Sequence, residues 1–290
     1  MTVPADETAL RLRRDGVVRL TVATATKNAV TSGRAESLER CIRSVAALPF
    51  PHEHLVRDGG SQDGSQDVLG RLAQEVSGLN VVSAPDGGLY EALNGALEAA
   101  RGEWILVLGD DDEIIDASVL AVMLDSAVAR RSEVLVASVS IGGDRLITAR
   151  PWFVLGGMSC PHQGMLVRTS ALRGIGGFDT RYRIAADYDS FLRLALRGAR
   201  VSRFDRPFAR FAFGTGLSRV ENECEDEVAA SLAAVLGLSD SERDFRRRNR
   251  VLPFHSSVRF LWHRSPFVRS AACWQVAKRM AQLIGIGAPK

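Results

Sequence analysis

Three loops in the first half of the chain carry aspartate residues soon after a short apolar run. Asp58 lies in a glycine-rich turn, and Asp86 precedes two glycines. Asp110, Asp111 and Asp112 form a triplet. Adjacent carboxylates repel one another, so a folded chain tolerates them best beside a cation. Mg²⁺ and Mn²⁺ prefer such oxygen ligands and keep positions open for substrate phosphates. The alternatives are a solvated helix N-terminus for the triplet and ordinary Asp-Gly turns for the others.

The runs before these aspartates belong to alternating predicted strands and helices. Strands are predicted at 17–23, 54–56, 79–82 and 104–108, and helices at 34–48, 66–76, 89–100 and from a cap at Asp116 or Ser118 to about 130. This alternation predicts a mostly parallel α/β sheet flanked by helices. Ligands of such sheets bind beyond the carboxyl ends of the strands. We therefore expect the three acidic loops to meet at one site.

The second half of the chain adds three candidate residues. Asp187 begins a strongly helical stretch, where it is either a functional carboxylate facing a cleft or the helix N-cap. His162 is either a contact of an acceptor or a diphosphate, or a structural histidine. Arg193 either steadies a phosphate or forms an ion pair with Asp189.

Several function classes are excluded by missing motifs. The chain has three lysines (Lys27, Lys278 and Lys290) and no G-x-x-x-x-G-K-[ST], which excludes a P-loop NTPase. Residues 24–28 after the first strand lack G-x-G-x-x-G, which argues against a dinucleotide-binding enzyme. The four cysteines show no C-x-x-C spacing, so neither a zinc nor a disulfide framework is expected. No apolar run is long enough to span a membrane, and no signal peptide is recognised. These features predict a cytoplasmic protein.

Charge is distributed unevenly along the 290 residues. The net charge is +3, but residues 243–290 carry +10 and the remainder −7. The basic segment also contains Phe and Trp residues, a composition that suits the surface of an anionic membrane. The alternative is a helical subdomain that packs its apolar side on the body. Nucleic-acid binding is not expected, because no recognised module accompanies the charge.

Five segments, in order, resemble the inverting GT-A glycosyltransferases of family 2, which use nucleotide-sugar donors. They are the strand and helix starting at 21–28, the D-G-x-S-x-D-G-T-like run 58–65, the run 85–96, the D-x-D-like run 108–112, and the motif formed by 177–179 with 184–189. The third segment resembles a subgroup that builds exopolysaccharides, including colanic acid. The resemblance implies a GT-A domain at 17–218, with a nucleotide-sugar half at about 17–115 and an acceptor half at about 116–218, followed by a basic helical extension at 219–290.

The resemblance also implies roles for individual residues. Asp58 would bind the base of the donor near Thr24 and Thr26, and Asp86 the nucleoside. The triplet would bind the donor and a Mn²⁺ or Mg²⁺ ion, with Asp112 and either Asp110 or Asp111 as metal ligands. Asp187 would be the catalytic base. Two departures from the family pattern are Lys27, where an aromatic residue is common, and Ala186, where an acidic residue is common.

The expected activity is therefore transfer of a sugar to a hydroxyl of a saccharide acceptor in polysaccharide or glycolipid synthesis. A lipid-linked acceptor would place the enzyme at the inner face of the cell membrane, in contact through 243–290. Two alternatives remain: a nucleotidyltransferase, and a degenerate nucleotide-binding scaffold without turnover.

Overall fold

The predicted alternation of strands and helices forms the body of the structure, a computed structural model that describes residues 17–142, 145–212 and 221–283. The strands are β1 (Leu20–Thr26), β2 (His52–Asp58), β3 (Leu79–Ser83), β4 (Trp104–Val107), β5 (Glu113–Ile114), β6 (Val134–Ala137), β7 (Val139–Ile141), β8 (Arg145–Ile147), β9 (Met165–Arg168), β10 (Val201–Phe204) and β11 (Ala209–Phe211). The helices are α1 (Ala35–Ala46), α2 (Ser65–Glu75), α3 (Leu89–Ala99), α4 (Ala117–Asp125), α5 (Thr169–Gly174), α6 (Ala186–Arg197), α7 (Glu221–Leu236), α8 (Asp240–Asn249), α9 (Phe254–Val258) and α10 (Pro266–Leu283). Short 3₁₀ turns cover Ala129–Arg131, Pro151–Gly156 and His162–Gly164.

The larger sheet has seven strands in the order β10-β6-β9-β4-β1-β2-β3. Its strands are parallel except for β9, which runs antiparallel to both β4 and β6. The register pairs Thr26 with Asp58 and Asp58 with Ser83, so β1, β2 and β3 end at one level. The loops after these strands therefore share one edge of the sheet. The predicted mostly parallel α/β architecture is confirmed.

A second sheet of four short strands, in the order β5-β11-β7-β8, was not predicted. Strands of two or three residues are too short to show a clear alternation of apolar and polar positions. The sheet connects the chain just after the aspartate triplet, at Glu113, to Arg210 of β11.

Helix α4 begins as predicted but ends earlier. The Asp116 side chain caps it by accepting the N–H groups of Ser118 and Val119. The prediction that it continues to about residue 130 is wrong, because Ser126 adopts an extended backbone after Asp125. The Ser126 hydroxyl donates to the carbonyl of Met123 and accepts the N–H of Ala129, so it competes with the helical hydrogen bonds.

The C-terminal helices share a hydrophobic core with the body. Buried apolar residues of this segment join the cluster formed with α3, α5 and α6: Val228, Leu232, Leu252, Val268, Ala271 and Ala272. Trp274 of α10 packs edge-on against Phe153. This arrangement agrees with the subdomain alternative, although Trp262 remains 80% exposed. The proposed boundary at 218 lies outside the described residues. In the part of the chain that the structure describes, no helix is long and apolar enough to cross a membrane.

Candidate active site

A cleft of about 1600 Å³ lies at the edge of the sheet where the acidic loops end. Seven of the ten predicted site residues line it: Thr26, Asp86, Asp110, Asp111, Asp112, His162 and Asp187. The structure thus brings the acidic loops of the first half together with the two candidate residues of the second half. Thr24, Asp58 and Arg193 are not among the lining residues.

Asp110 is neutralised by an arginine that the sequence analysis did not identify. Nη1 of Arg34, next to the first turn of α1, lies 2.6 and 2.8 Å from the two carboxylate oxygens of Asp110. The Thr26 hydroxyl donates to the same carboxylate at 2.6 Å. Burial raises the pKa of Asp110, and Arg34 and Thr26 partly offset this effect. These contacts disfavour Asp110 as a metal ligand, because Arg34 already supplies the compensating charge.

Asp111 and Asp112 direct carboxylate oxygens toward the space beside Gly109. A Cβ atom at Gly109 would lie 2.7 Å from Oδ2 of Asp112, which accepts the Gly109 N–H at 3.0 Å, and 3.0 Å from Oδ1 of Asp111, so a larger residue there would displace these carboxylates. The other oxygen of Asp112 accepts the Ala212 N–H at 2.9 Å. Burial raises the pKa of Asp112. The charge of His162 and the hydrogen bond from the Ala212 N–H lower it, but by less. Two converging carboxylate oxygens fit the protein's share of a Mg²⁺ or Mn²⁺ site.

The protein alone does not complete such a site. Among the described residues, no group of three or more His, Cys, Asp or Glu side chains is arranged to hold a metal ion. Mg²⁺ sites of phosphate-transferring enzymes commonly use one or two carboxylates, with substrate phosphates and water completing the coordination. A pair of carboxylates therefore fits a metal that arrives with a phosphate-bearing ligand.

Asp187 lies in the first turn of α6 and lines the same cleft. Its Oδ2 is 3.1 Å from Nδ1 of His162, and its Oδ1 accepts the N–H of Tyr188 at 2.8 Å and the hydroxyl of Tyr90 at 3.3 Å. The N-cap of α6 is Ala185, so the N-cap alternative for Asp187 is wrong. Burial raises the pKa of Tyr90, as does the charge of Asp187, so its hydroxyl remains a donor.

His162 lies within the electrostatic influence of three acidic residues, Asp187, Asp112 and Asp111. Burial lowers the pKa of its imidazole, but the hydrogen bond and the charge of Asp187 outweigh this effect, with help from Asp112 and Asp111. The net result is a pKa above the ordinary histidine value, which favours the imidazolium. His162 therefore links Asp187 electrostatically to the aspartates beside Gly109.

A distant glutamate orients the segment that carries Asp187. The carboxylate of Glu227, on α7, accepts the backbone N–H groups of Arg183, Ile184 and Ala185 at 2.8–2.9 Å. These groups precede α6, where the helix dipole favours a negative charge. The sequence offered no signal for this contact, because Glu227 lies in a run of acidic residues and is more than 40 positions away.

Thr24 and Arg193 have partners outside the cleft. Thr24 is fully buried, and its hydroxyl lies 2.9 Å from Nε2 of His54. It shares a sheet face with Thr26 but stands two residues before the strand end, too deep to reach the cleft. Arg193 pairs with Asp189 at 2.7 Å and donates to the carbonyls of Ile175 and Gly177. The prediction that Thr24 and Arg193 contact a ligand is therefore not supported, and Arg193 has the ion-pair role.

Asp58 organises its own loop. Its carboxylate, 1% exposed, accepts the N–H and the hydroxyl of Ser61 and the hydroxyl of Ser83 at 2.8 Å. A Cβ at the next residue, Gly59, would lie 3.0 Å from Asp86 and 3.1 Å from Lys27, so the loops after β1, β2 and β3 meet here. Base binding by Asp58 stays a prediction, whereas Asp86 and Lys27 line the cleft.

The match to known proteins agrees with this geometry. Residues 21–198 match the model of the family described as Glycosyl transferase family 2. The chain belongs to this family. The matched region contains every candidate site residue discussed above. The narrower resemblance to the exopolysaccharide subgroup stays a prediction.

Part of the chain is similar in sequence to two mycobacterial glycosyltransferases. The chain is 32% identical over 172 residues to an uncharacterized glycosyltransferase of Mycobacterium tuberculosis. This alignment covers 56% of the present chain and 64% of the relative. It is 29% identical over 184 residues to a PGL/p-HBAD biosynthesis glycosyltransferase of Mycobacterium bovis, covering 59% and 69%. The match therefore spans somewhat less than two thirds of the first relative's length.

Solved structures share the fold of this family 2 chain at low identity. TarS 1–349 of S. aureus in complex with UDP-GlcNAc aligns with a TM-score of 0.61 and 17% identity, over 94% of this chain and 93% of that TarS chain. The mannosyltransferase PcManGT of Pyrobaculum calidifontis, in complex with GDP-Man and Mn²⁺, aligns with a TM-score of 0.60 and 17% identity, over 98% and 82%. These likenesses confirm the GT-A-like α/β fold.

Proposed function

We propose that this chain is an inverting glycosyltransferase that moves a sugar from a nucleotide-sugar donor to a hydroxyl of a saccharide acceptor. The observation that carries the proposal is that Asp187 faces the same cleft as Asp111 and Asp112, with His162 between them. A base for the acceptor and an acidic pair for the donor phosphates are what this reaction requires.

Asp187 is the proposed general base. The acceptor oxygen forms a bond to C1 of the sugar while the bond from C1 to the donor phosphate breaks, and the acceptor proton passes to Asp187. Its carboxylate is held by His162 and the Tyr188 N–H, so it does not have to reorient during the reaction. General base catalysis of this kind contributes roughly 10²–10⁴-fold in rate.

The donor half of the cleft supplies the groups for the nucleotide sugar. Asp111 and Asp112 are the proposed ligands of Mn²⁺ or Mg²⁺, which when bound stabilises the growing charge of the nucleoside diphosphate leaving group. Lys27 adds positive charge to the same lining, whereas the charge of Arg34 is balanced by Asp110, and Asp86 is placed to contact the nucleoside. The UDP-GlcNAc and GDP-Man complexes of the two structural neighbours support this donor class.

The acceptor is proposed to be a lipid-linked saccharide that is a precursor of a surface polysaccharide or glycolipid. Relatives named for PGL/p-HBAD biosynthesis and, at 26% identity over 102 residues, as a cholesterol galactosyltransferase of Borreliella burgdorferi support a role in glycolipid synthesis. Contact with an anionic membrane at the cytoplasmic face is proposed through the exposed Trp262 and the neighbouring Arg259 and Arg264.

The experiment that tests the proposal is a thermal unfolding series with UDP-, GDP-, CMP- and dTDP-sugars, each with and without Mn²⁺. One nucleotide class is expected to raise the unfolding temperature in a metal-dependent way, because a ligand that binds only the folded state stabilises it. The Mn²⁺-dependent part should be lost in Asp112→Ala and in the milder Asp111→Asn. Asp205→Ala, an exposed residue paired with Arg203, is the matched control. A folded protein that responds to none of these nucleotides would refute the donor site.

A further inference from the structure

A third acidic group reaches the cleft from α7. Glu225 and its neighbour Cys224 both line the cleft. The Cys224 thiol lies within the electrostatic influence of both Asp187 and Glu225: burial raises its pKa to about 11, and the two carboxylates act in the same direction. Two residues further along the same helix, Glu227 binds the N–H groups of Ile184 and Ala185, just before Asp187, so this part of α7 lies close to the proposed base.

Glu225 is held by a buried arginine. Arg246, on α8, is 0% exposed, and its Nη2 donates to the carbonyl of Gly156 at 2.7 Å. Its Nη1 lies 3.6 Å from Oε2 of Glu225. Oε2 is buried, whereas the Glu225 side chain as a whole is 32% exposed. The exposed part of the side chain is therefore not the oxygen that faces Arg246.

This ion pair is poorly suited to a purely structural role. Among the described residues, Oε2 of Glu225 and Nε and Nη1 of Arg246 have no hydrogen-bond partner. Buried charges repay the cost of desolvation only when their hydrogen bonds are made. A pair that served stability alone would be expected to close to hydrogen-bonding distance. The longer separation is instead compatible with a carboxylate that is oriented toward the cleft.

We infer that Glu225 binds a second hydroxyl of the acceptor whose attacking hydroxyl lies at Asp187, and that Arg246 is the positioning residue of Glu225. The inference rests on the proposed function. Carboxylates accept strong, charge-assisted hydrogen bonds from hydroxyl groups. An acceptor that satisfies both carboxylates carries at least two hydroxyls, so it is a sugar residue rather than a lipid alcohol with a single hydroxyl.

The test compares Glu225→Gln with the wild type and with Glu223→Gln. Glu223 lies on the same helix, is exposed, pairs with Arg183 and does not line the cleft. Calorimetry would measure the binding of octyl glycosides of glucose, galactose, mannose, rhamnose and N-acetylglucosamine, with 1-octanol as the single-hydroxyl probe. The protein would be saturated with the nucleoside diphosphate that stabilises it best.

At least one glycoside is expected to bind the wild type more tightly than 1-octanol. Its Kd should rise on the order of 10- to 100-fold in Glu225→Gln, the size expected for a lost hydrogen bond to a charged group. It should not change in Glu223→Gln, and the Kd of the nucleoside diphosphate should be equal in all three proteins. Arg246→Lys should raise the glycoside Kd without changing the nucleotide Kd, a separation that a loss of folding would not produce.

Two results would overturn the inference: an unchanged glycoside Kd in Glu225→Gln, or glycosides that bind the wild type no better than 1-octanol. Failure of the proposed function is a different result. In that case no nucleoside diphosphate binds the folded wild-type protein. Nucleotide binding with glycoside binding that does not depend on Glu225 contradicts only the inference.

Discussion

Nδ1 of His162 lies 3.1 Å from Oδ2 of Asp187, although the two residues come from separate elements 25 positions apart. His162 stands in the 3₁₀ turn before β9, and Asp187 in the first turn of α6. With the Tyr188 N–H on its other oxygen, the Asp187 carboxylate is held in one orientation.

Replacing Asp187 by asparagine should lower the rate of sugar transfer by about 10²–10⁴-fold, because the amide cannot accept the acceptor proton. The nucleotide-dependent rise in unfolding temperature should remain, since the donor groups are unchanged. Initial rates at saturating donor, together with thermal unfolding, measure both effects.

Asp189→Asn is the matched control for that variant. Asp189 is two residues away and buried, and it accepts from Arg193 at 2.7 Å and from Ser231 at 2.8 Å. Its loss should destabilise the fold by about 2–4 kcal/mol, because the partly buried Arg193 loses its charged partner. Below the unfolding temperature, transfer should stay near the wild-type rate. Equal losses of rate in the two variants would contradict the assignment of the base.

The pKa of His162 makes stability depend on pH. Asp187, Asp112 and Asp111 outweigh burial and raise the pKa in the folded state above the ordinary value of about 6.5. The folded protein therefore binds this proton more tightly, and the resulting stability is fully present below the unfolded-state pKa. It is lost as the pH rises through the folded-state pKa.

Urea unfolding of the wild type and His162→Gln in metal-free buffer tests this relationship. The difference in the free energy of unfolding between the two proteins should shrink as the pH rises from about 5.5 to 8.5. A difference that stays constant across this range would show that the imidazolium does not contribute.

Arg34 and Asp110 should be energetically coupled. The Arg34 side chain is 25% exposed and Asp110 only 4%, so removal of the guanidinium leaves a nearly buried charge with Thr26 as its neighbour. Arg34→Met should destabilise the protein by about 1–3 kcal/mol, below the value for a fully buried pair because Arg34 retains contact with solvent.

A double-mutant cycle with Asp110→Asn measures this coupling. The double variant should be more stable than the sum of the single effects predicts, by about 0.5–3 kcal/mol, because it leaves no uncompensated carboxylate. Strictly additive losses in urea unfolding would mean that the ion pair contributes no coupling energy.

Trp262 should contribute to membrane binding. It is 80% exposed and lies between Arg259 and Arg264, so it can insert its ring at the interface while the arginines attract anionic headgroups. In co-sedimentation, the wild type should bind phosphatidylglycerol vesicles more strongly than phosphatidylcholine vesicles. Trp262→Ala should weaken this binding, and added salt should weaken it further.

Trp152→Ala is the comparison variant for vesicle binding. Trp152 is 36% exposed and stacks with Arg203 in the body of the protein. Its replacement should leave vesicle binding unchanged. Equal binding of the wild type to both kinds of vesicle would rule out the proposed membrane contact.

The sequence alone was sufficient to predict strands β1 to β4 of the main sheet, the shared edge of the acidic loops and the family, but not strands β6, β9 and β10. These features depend on local patterns: apolar runs, helical spacing and turn residues, each confined to a few positions. The cap of α4 by Asp116 was predictable for the same reason. The four short strands of the second sheet were not, because their patterns are too brief.

The partners of the acidic residues were decided only by the tertiary structure. Arg34 binds Asp110 across 76 positions, and the Ala212 N–H reaches Asp112 across 100. Such contacts depend on how the loops close over the sheet, which no local pattern encodes. Thr24 shows the same limit: its residue type and loop suggested a ligand contact, but its depth in β1 directs the hydroxyl to His54. The sequence determined which residues come to this edge of the sheet, whereas long-range packing decided what each side chain contacts there.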